Sequence, residues 1–179
     1  GHGLRCNRFG AGPHPLPCGS ADLVEPRRPQ EADLRAACYK ARMAVEITLR
    51  YAGELHCELT HGPSQRTLET DAPLDNMGRG EAFSPTDLVG AALLSCAITT
   101  MAIRGPKEGA PFTTATGRVR KHMTSEGPRR IARLEVEVDM PAGLDAAARA
   151  TLEAIARGCP VARSLGAEVA HPMVFRYPD

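Results

Sequence analysis

The sequence lacks any large excess of charge, any cysteine pair at metal-binding spacing and any long apolar stretch, and each absence removes a class of function. Lys and Arg number 22 against 21 Asp and Glu, a formal net charge of +1, which offers nothing to nucleic acid or to an anionic membrane surface. No apolar run is expected to reach the roughly 18 residues of a membrane span. The first residues are polar, with Gly, Pro and Arg, and have no apolar core of a secretory signal. The expected location is therefore the cytoplasm. Six cysteines (Cys6, Cys18, Cys38, Cys57, Cys96, Cys159) in 179 residues are too sparse for the disulfide framework of a small secreted scaffold. None forms a CxxC pair, which speaks against zinc and thioredoxin-type sites. His56, His61, His122 and His171 have no metal-ligand spacing, and Ser84 and Ser95 lack the GxSxG setting of a hydrolase. No metal and no organic cofactor is expected, and no internal repeat is visible. What remains is a chain with one or two chemically active thiols.

At 19.1 kDa and 42% hydrophobic residues the chain fits one domain with a real core. Residues 1–42 read as an N-terminal extension, either upstream of the natural start or a loosely attached, partly disordered arm. Gly1-His2-Gly3 resembles a tag remnant, a Gly/Pro/Arg-rich stretch follows, and a short helix is expected over 31–42. Regular patterning begins at Met43, so the domain is expected over 43–179. Met43, Val45, Ile47, Leu49 and Tyr51 alternate with Ala44, Glu46, Thr48 and Arg50, the period of a half-buried strand. Ala52-Gly53-Glu54 turns the chain into a second strand through Leu55, Cys57 and Leu59, and a third is expected around 66–69.

After the polar loop 71–83, Ser84-Pro85-Thr86-Asp87 starts a helix: Ser84 caps, Pro85 suits the first helical position and Asp87 completes a capping box. The helix runs to Gly105-Pro106 and is apolar nearly all round, so it should be buried on most sides. A domain of this size covers such a helix most simply by dimerising. Strands are expected over 113–123 and 131–140, a helix over 145–157, a second helix opening at Cys159-Pro160, and a closing strand over 169–177. The order β-β-β-α-β-β-α-α-β is an α+β arrangement.

Local physics ranks Cys159 first among the thiols. Gly158 ends one helix, Pro160 begins the next, and Cys159 between them is the N-cap, facing unpaired backbone N–H groups and the positive end of a helix dipole. That setting lowers a thiol pKa and makes a nucleophile; the competing reading is a small apolar filler of a helix corner. Cys96 lies inside the apolar helix, on the face of Val89, Ala92, Leu93, Thr99, Thr100 and Ile103. A cysteine there is more often core than catalyst, and a reactive one needs a nearby cation, for which Arg79 in the preceding loop is the candidate. Cys57 is expected on the buried face of its strand, and Arg118, Arg120 and Lys121 on a solvated strand edge.

The run TDAPLDNMGRGEAFSPTDLVGAALLSCAITTM, from Thr70 to Met101, and GCPVARSLGAEV, from Gly158 to Val169, resemble the family of osmotically inducible protein C (OsmC) and the organic hydroperoxide resistance (Ohr) proteins. A proline-started apolar helix with a cysteine about three turns in, and a second cysteine in Gly-Cys-Pro-Val, carry the resemblance, which spans about three quarters of the chain. It implies antiparallel sheets wrapped around a buried central helix in an intertwined homodimer. It also implies a peroxidase of organic hydroperoxides in which Cys96 attacks the peroxide, Cys159 resolves the resulting sulfenic acid to a disulfide, and an external dithiol restores both. This reverses the order that local geometry gives. The family adds an arginine and an acid beside the thiolate. Arg79 is the candidate arginine, with Arg66 and Arg50 as alternatives. Where the Pro-Glu form of the motif has its acid, this chain has Thr86, and Asp87 follows one residue later. Asp87 and Cys96 are about 900° apart around the helix and about 13 Å along it, so Asp87 is expected to act through Arg79, from a partner subunit, or as the cap alone. The departure at Thr86 keeps open a non-catalytic reading: a small-ligand-binding or redox-sensing member of the same fold.

Overall fold

The structure is a computed structural model and describes residues 44–178; the expectations for residues 1–42, including the short helix, lie outside the described residues. The first sheet is antiparallel, with β1 (Ile47–Gly53), β2 (His56–His61) and β3 (Thr67–Asp71) in the order β1-β2-β3. Leu49 faces Leu59, which faces Leu68. The tight β1–β2 turn places Gly53, Glu54 and Leu55 in succession at positive φ, and only the glycine does so without steric cost.

Among the described residues β1 begins at Ile47, with Met43 outside them, and it is not half-buried. Val45, Ile47, Leu49 and Tyr51 are 57–60% exposed. Period-2 patterning assigns these side chains to one face of the sheet; whether that face is covered depends on what packs on it. Among the described residues, none of β1, β2 or β3 belongs to the hydrophobic core cluster.

The core is built on the second sheet, formed by β4 (Thr116–Met123), β5 (Ile131–Asp139) and β6 (Met173–Arg176). β4 and β5 pair antiparallel, while β6 runs parallel to β5, which departs from an all-antiparallel expectation. The reason is the connection: two helices carry the chain from the end of β5 back to its start, and such a crossover permits parallel pairing. Leu134, Val136, Val138 and Met140 alternate into the core as the sequence indicates. Burying each stabilises the fold by about 1.5–3 kcal/mol relative to exposure.

Of the three α-helices, α1 (Pro85–Arg104) packs on this sheet, and α2 (Ala146–Arg157) and α3 (Pro160–Ser164) pack on α1. α1 starts as its sequence dictates. Ser84 accepts the Asp87 N–H, and the Asp87 carboxylate accepts the Ser84 N–H at 2.8 Å. One stripe of α1 is buried, namely Gly90, Leu93, Ala97 and Met101, at the 3–4 spacing of a helix face. Ala92, Ser95, Thr99 and Ile103 are exposed, so a single chain does not cover the helix on most sides. By length and composition Pro85–Glu108 is also apolar enough to cross a membrane, contrary to the expectation that no run is long enough. Here it packs as a core helix.

α1 lies so close to β4 that only glycine fits at one crossing: a Cβ on Gly117 would come within 2.9 Å of Leu94 Cδ1 and of the Glu137 carbonyl oxygen.

Candidate functional site

Cys159 is the N-cap of α3, as expected, with Pro160 in the first turn. Its Sγ accepts the Ala162 N–H at 3.5 Å, and its carbonyl accepts the Arg163 N–H at 3.1 Å. The thiol is fully buried, and this reverses the expected effect on its acidity. Burial pushes the Cys159 thiol up from its ordinary value, against the N–H groups of Ala162 and Val161, which favour the thiolate; the neighbouring Cys96 thiol also pushes it up. Loss of solvent outweighs the helix terminus, so Cys159 rests as a neutral thiol.

Cys96 lies beside it on α1 and is only partly buried. Its polar neighbour is on the next helical turn: Thr100 Oγ1 is 3.9 Å from Cys96 Sγ and 2.6 Å from the Cys96 carbonyl oxygen. The structure therefore brings the two motif cysteines together, one partly exposed and one fully buried. Both stand on regular elements whose starts are fixed by proline and a cap.

The other two candidates are elsewhere. Arg79 is half-exposed and paired with Glu54 and with Glu81. Among the described residues no hydrogen bond or ion pair joins Arg79 to either sulfur. Arg50 pairs with Glu58 across β1 and β2. Asp87 does not meet Arg79, as one reading of the sequence required; its partner is Lys121, at 2.6 Å. Burial pushes the Asp87 carboxyl up, but hydrogen bonds from Lys121 and Ser84 outweigh it and hold it below the usual carboxylate range.

Lys121 is not on a solvated edge. Its ammonium also donates to Thr86 at 2.8 Å and to Ser84 at 3.1 Å, while Arg118 and Arg120 pair outward with Glu137. The parity of β4 contained the signal, because Gly117, Val119 and Lys121 share the face toward α1. Asp71, at 2% exposure, is held by His56 Nδ1–H at 3.0 Å and by the Glu81 N–H, so His56 is structural. Cys57 is half-buried rather than sealed in, and it lines a cavity of about 470 Å³ with Tyr51, Leu55, Thr70 and Met123. Among the described residues no group of three or more His, Cys, Asp or Glu is placed to hold a metal ion.

The sequence model of the family described as OsmC-like protein matches residues 78–171, a span that includes both cysteines of the pair. A crystal structure from Psychrobacter arcticus, of a protein described as an osmotic stress induced and detoxification response protein, is 32% identical. The match covers 73% of this chain and 94% of that one, with a TM-score of 0.68. Two more distant structures share the fold. The Legionella pneumophila organic hydroperoxide resistance protein OsmC is 15% identical (TM-score 0.61, covering 75% and 98%). The Bacillus subtilis organic hydroperoxide resistance protein OhrB is 14% identical (TM-score 0.59, covering 75% and 98%). No curated protein sequence matches significantly. The family match over more than half of the chain and the Psychrobacter relative agree with the fold and with the cysteine-bearing helix, and the chain belongs to the OsmC-like protein family, among whose structures are organic hydroperoxide resistance proteins.

Proposed function

We propose that the protein reduces organic hydroperoxides with Cys96 as nucleophile and Cys159 as resolving thiol. The Cys96 thiolate attacks the terminal peroxide oxygen of ROOH. The O–O bond breaks, Cys96 becomes a sulfenic acid, and the alkoxide takes a proton and leaves as ROH. The neutral Cys159 thiol then gives up its proton as its sulfur displaces hydroxide from the sulfenic acid, which forms water and the Cys96–Cys159 disulfide. An external dithiol returns both cysteines to thiols and leaves as its own disulfide.

The observation that carries this reading is the asymmetry of the pair: Cys96 is partly exposed and Cys159 is fully buried. That difference favours the order taken from the family resemblance over the order taken from helix geometry. The expected outcome is turnover of cumene hydroperoxide in the presence of a dithiol, faster than turnover of hydrogen peroxide. Absence of turnover with any hydroperoxide contradicts it.

The second reading, a binding module, is favoured by the engagement of Arg79 with Glu54 and Glu81 and of Asp87 with Lys121, and by the largely apolar cavity that Cys57 lines. In either case the working form is proposed to be a homodimer. The exposed apolar residues of β1 and the exposed face of α1 are the surfaces a second copy would cover.

A further inference from the structure

We propose that the Thr100 hydroxyl is the hydrogen-bond donor that stabilises the Cys96 thiolate, in the role for which the sequence nominated Arg79. This rests on the reading of Cys96 as the reactive thiol. Among the described residues no hydrogen bond or ion pair joins a Lys or Arg side chain to Cys96 Sγ: Arg79 pairs with Glu54 and Glu81, Lys121 with Ser84, Thr86 and Asp87, and Arg104 with Glu108. The polar side chain in reach of Cys96 Sγ on its own helix is Thr100, at 3.9 Å.

That hydroxyl has one proton and two possible acceptors. In the resting thiol it donates to the Cys96 carbonyl oxygen at 2.6 Å. The same carbonyl lies in the middle of α1, where the backbone N–H of residue 100 also serves it, so the hydroxyl can leave without stranding a buried acceptor. When Cys96 loses its proton, a rotation about the Cβ–Oγ bond and a closing of the 3.9 Å separation turn the donation onto sulfur. A hydrogen bond to an ionised acceptor is about twice as strong as a neutral one, so ionisation itself drives the switch. The thiolate then gains a donor that costs the helix nothing. Helical spacing fixes the arrangement, because residues four apart lie one above the other on the same face.

The test separates this inference from the peroxidase reading, because it uses an alkylating agent and no peroxide. The rate of Cys96 carbamidomethylation by iodoacetamide is followed by mass spectrometry of the Cys96 peptide in wild type, Thr100→Val and Thr100→Ser, at pH 7 and at pH 10. The expected result is about a tenfold slower reaction at pH 7 in Thr100→Val, recovery to near the wild-type rate in Thr100→Ser, and convergence of all three at pH 10. Convergence is expected because bulk base then supplies the thiolate without help. Equal rates at pH 7 in wild type and Thr100→Val overturn the inference. A Thr100→Val defect of the same size at both pH values also overturns it, since that pattern reports altered access rather than a lost donor. Failure of the serine variant to recover the rate counts the same way. If the alkylation contrast holds while no hydroperoxide is reduced, the peroxidase reading fails and the assignment of Thr100 stands.

Discussion

At Lys121 three ammonium hydrogens meet three acceptors: Asp87, Thr86 and Ser84. The side chain is largely buried, and no other cation is in contact with Asp87 among the described residues. Lys121→Met should leave the Asp87 carboxylate without its counter-charge and destabilise the fold by about 1 kcal/mol, read from chemical denaturation. The pH dependence has a fixed sign. Asp87 titrates below its ordinary value of 3.8 in the folded chain, so its contribution is present above that value and is lost as the pH falls through the lower, folded one. The Lys121→Met variant should lose less stability than wild type over that acid range, and equal losses would contradict the assignment. This cluster was half legible in the sequence. The capping box could be read from Ser84 to Asp87, because it is local. The lysine could not be assigned to it, because its reach depends on how β4 crosses α1. The acidity of Cys159 escapes the sequence for a related reason: the helix terminus is visible in Gly-Cys-Pro, but the burial that outweighs it comes with packing against α1, far away in sequence.

The crossing of α1 over β4 is the contact that most directly ties the cysteine-bearing helix to the sheet. Gly117 makes it possible, with Leu94 Cδ1 and the Glu137 carbonyl oxygen each 2.9 Å from where a Cβ would stand. Gly117→Leu should push α1 off the sheet and cost about 1–3 kcal/mol, with a lowered thermal midpoint; an unchanged midpoint would show that the strand can shift freely. Element order and most boundaries could be read from local signals. Alternation marks β5 from Leu134 to Met140, Asp145 caps α2 by accepting the Ala148 N–H, and Pro160 opens α3. Two features could not be read. Alternation in β1 names a face without saying whether anything covers it, and the parallel pairing of β6 with β5 depends on the path of two helices rather than on the sequence of the strand.

For the whole molecule, the exposed residues of β1 and α1 give the proposed dimer its motive. Val45, Ile47, Leu49 and Tyr51 are each more than half exposed in the single chain, and together they form an apolar patch of the kind that marks an interaction surface. Light scattering at micromolar concentration should give twice the 19.1 kDa chain mass, and Ile47→Lys with Leu49→Lys should shift the mass toward that of one chain. A wild-type protein of monomer mass would remove this part of the proposal. In the proposed cycle Cys96 attacks and Cys159 resolves. Intact-mass spectrometry after one equivalent of cumene hydroperoxide tests it most directly. Wild type should lose about 2 Da as the disulfide forms, Cys159→Ser should gain about 16 Da on Cys96 as the trapped sulfenic acid, and Cys96→Ser should remain unchanged. A gain of about 16 Da on Cys159 in the Cys96→Ser protein would contradict the assignment and return the nucleophile to the helix N-cap.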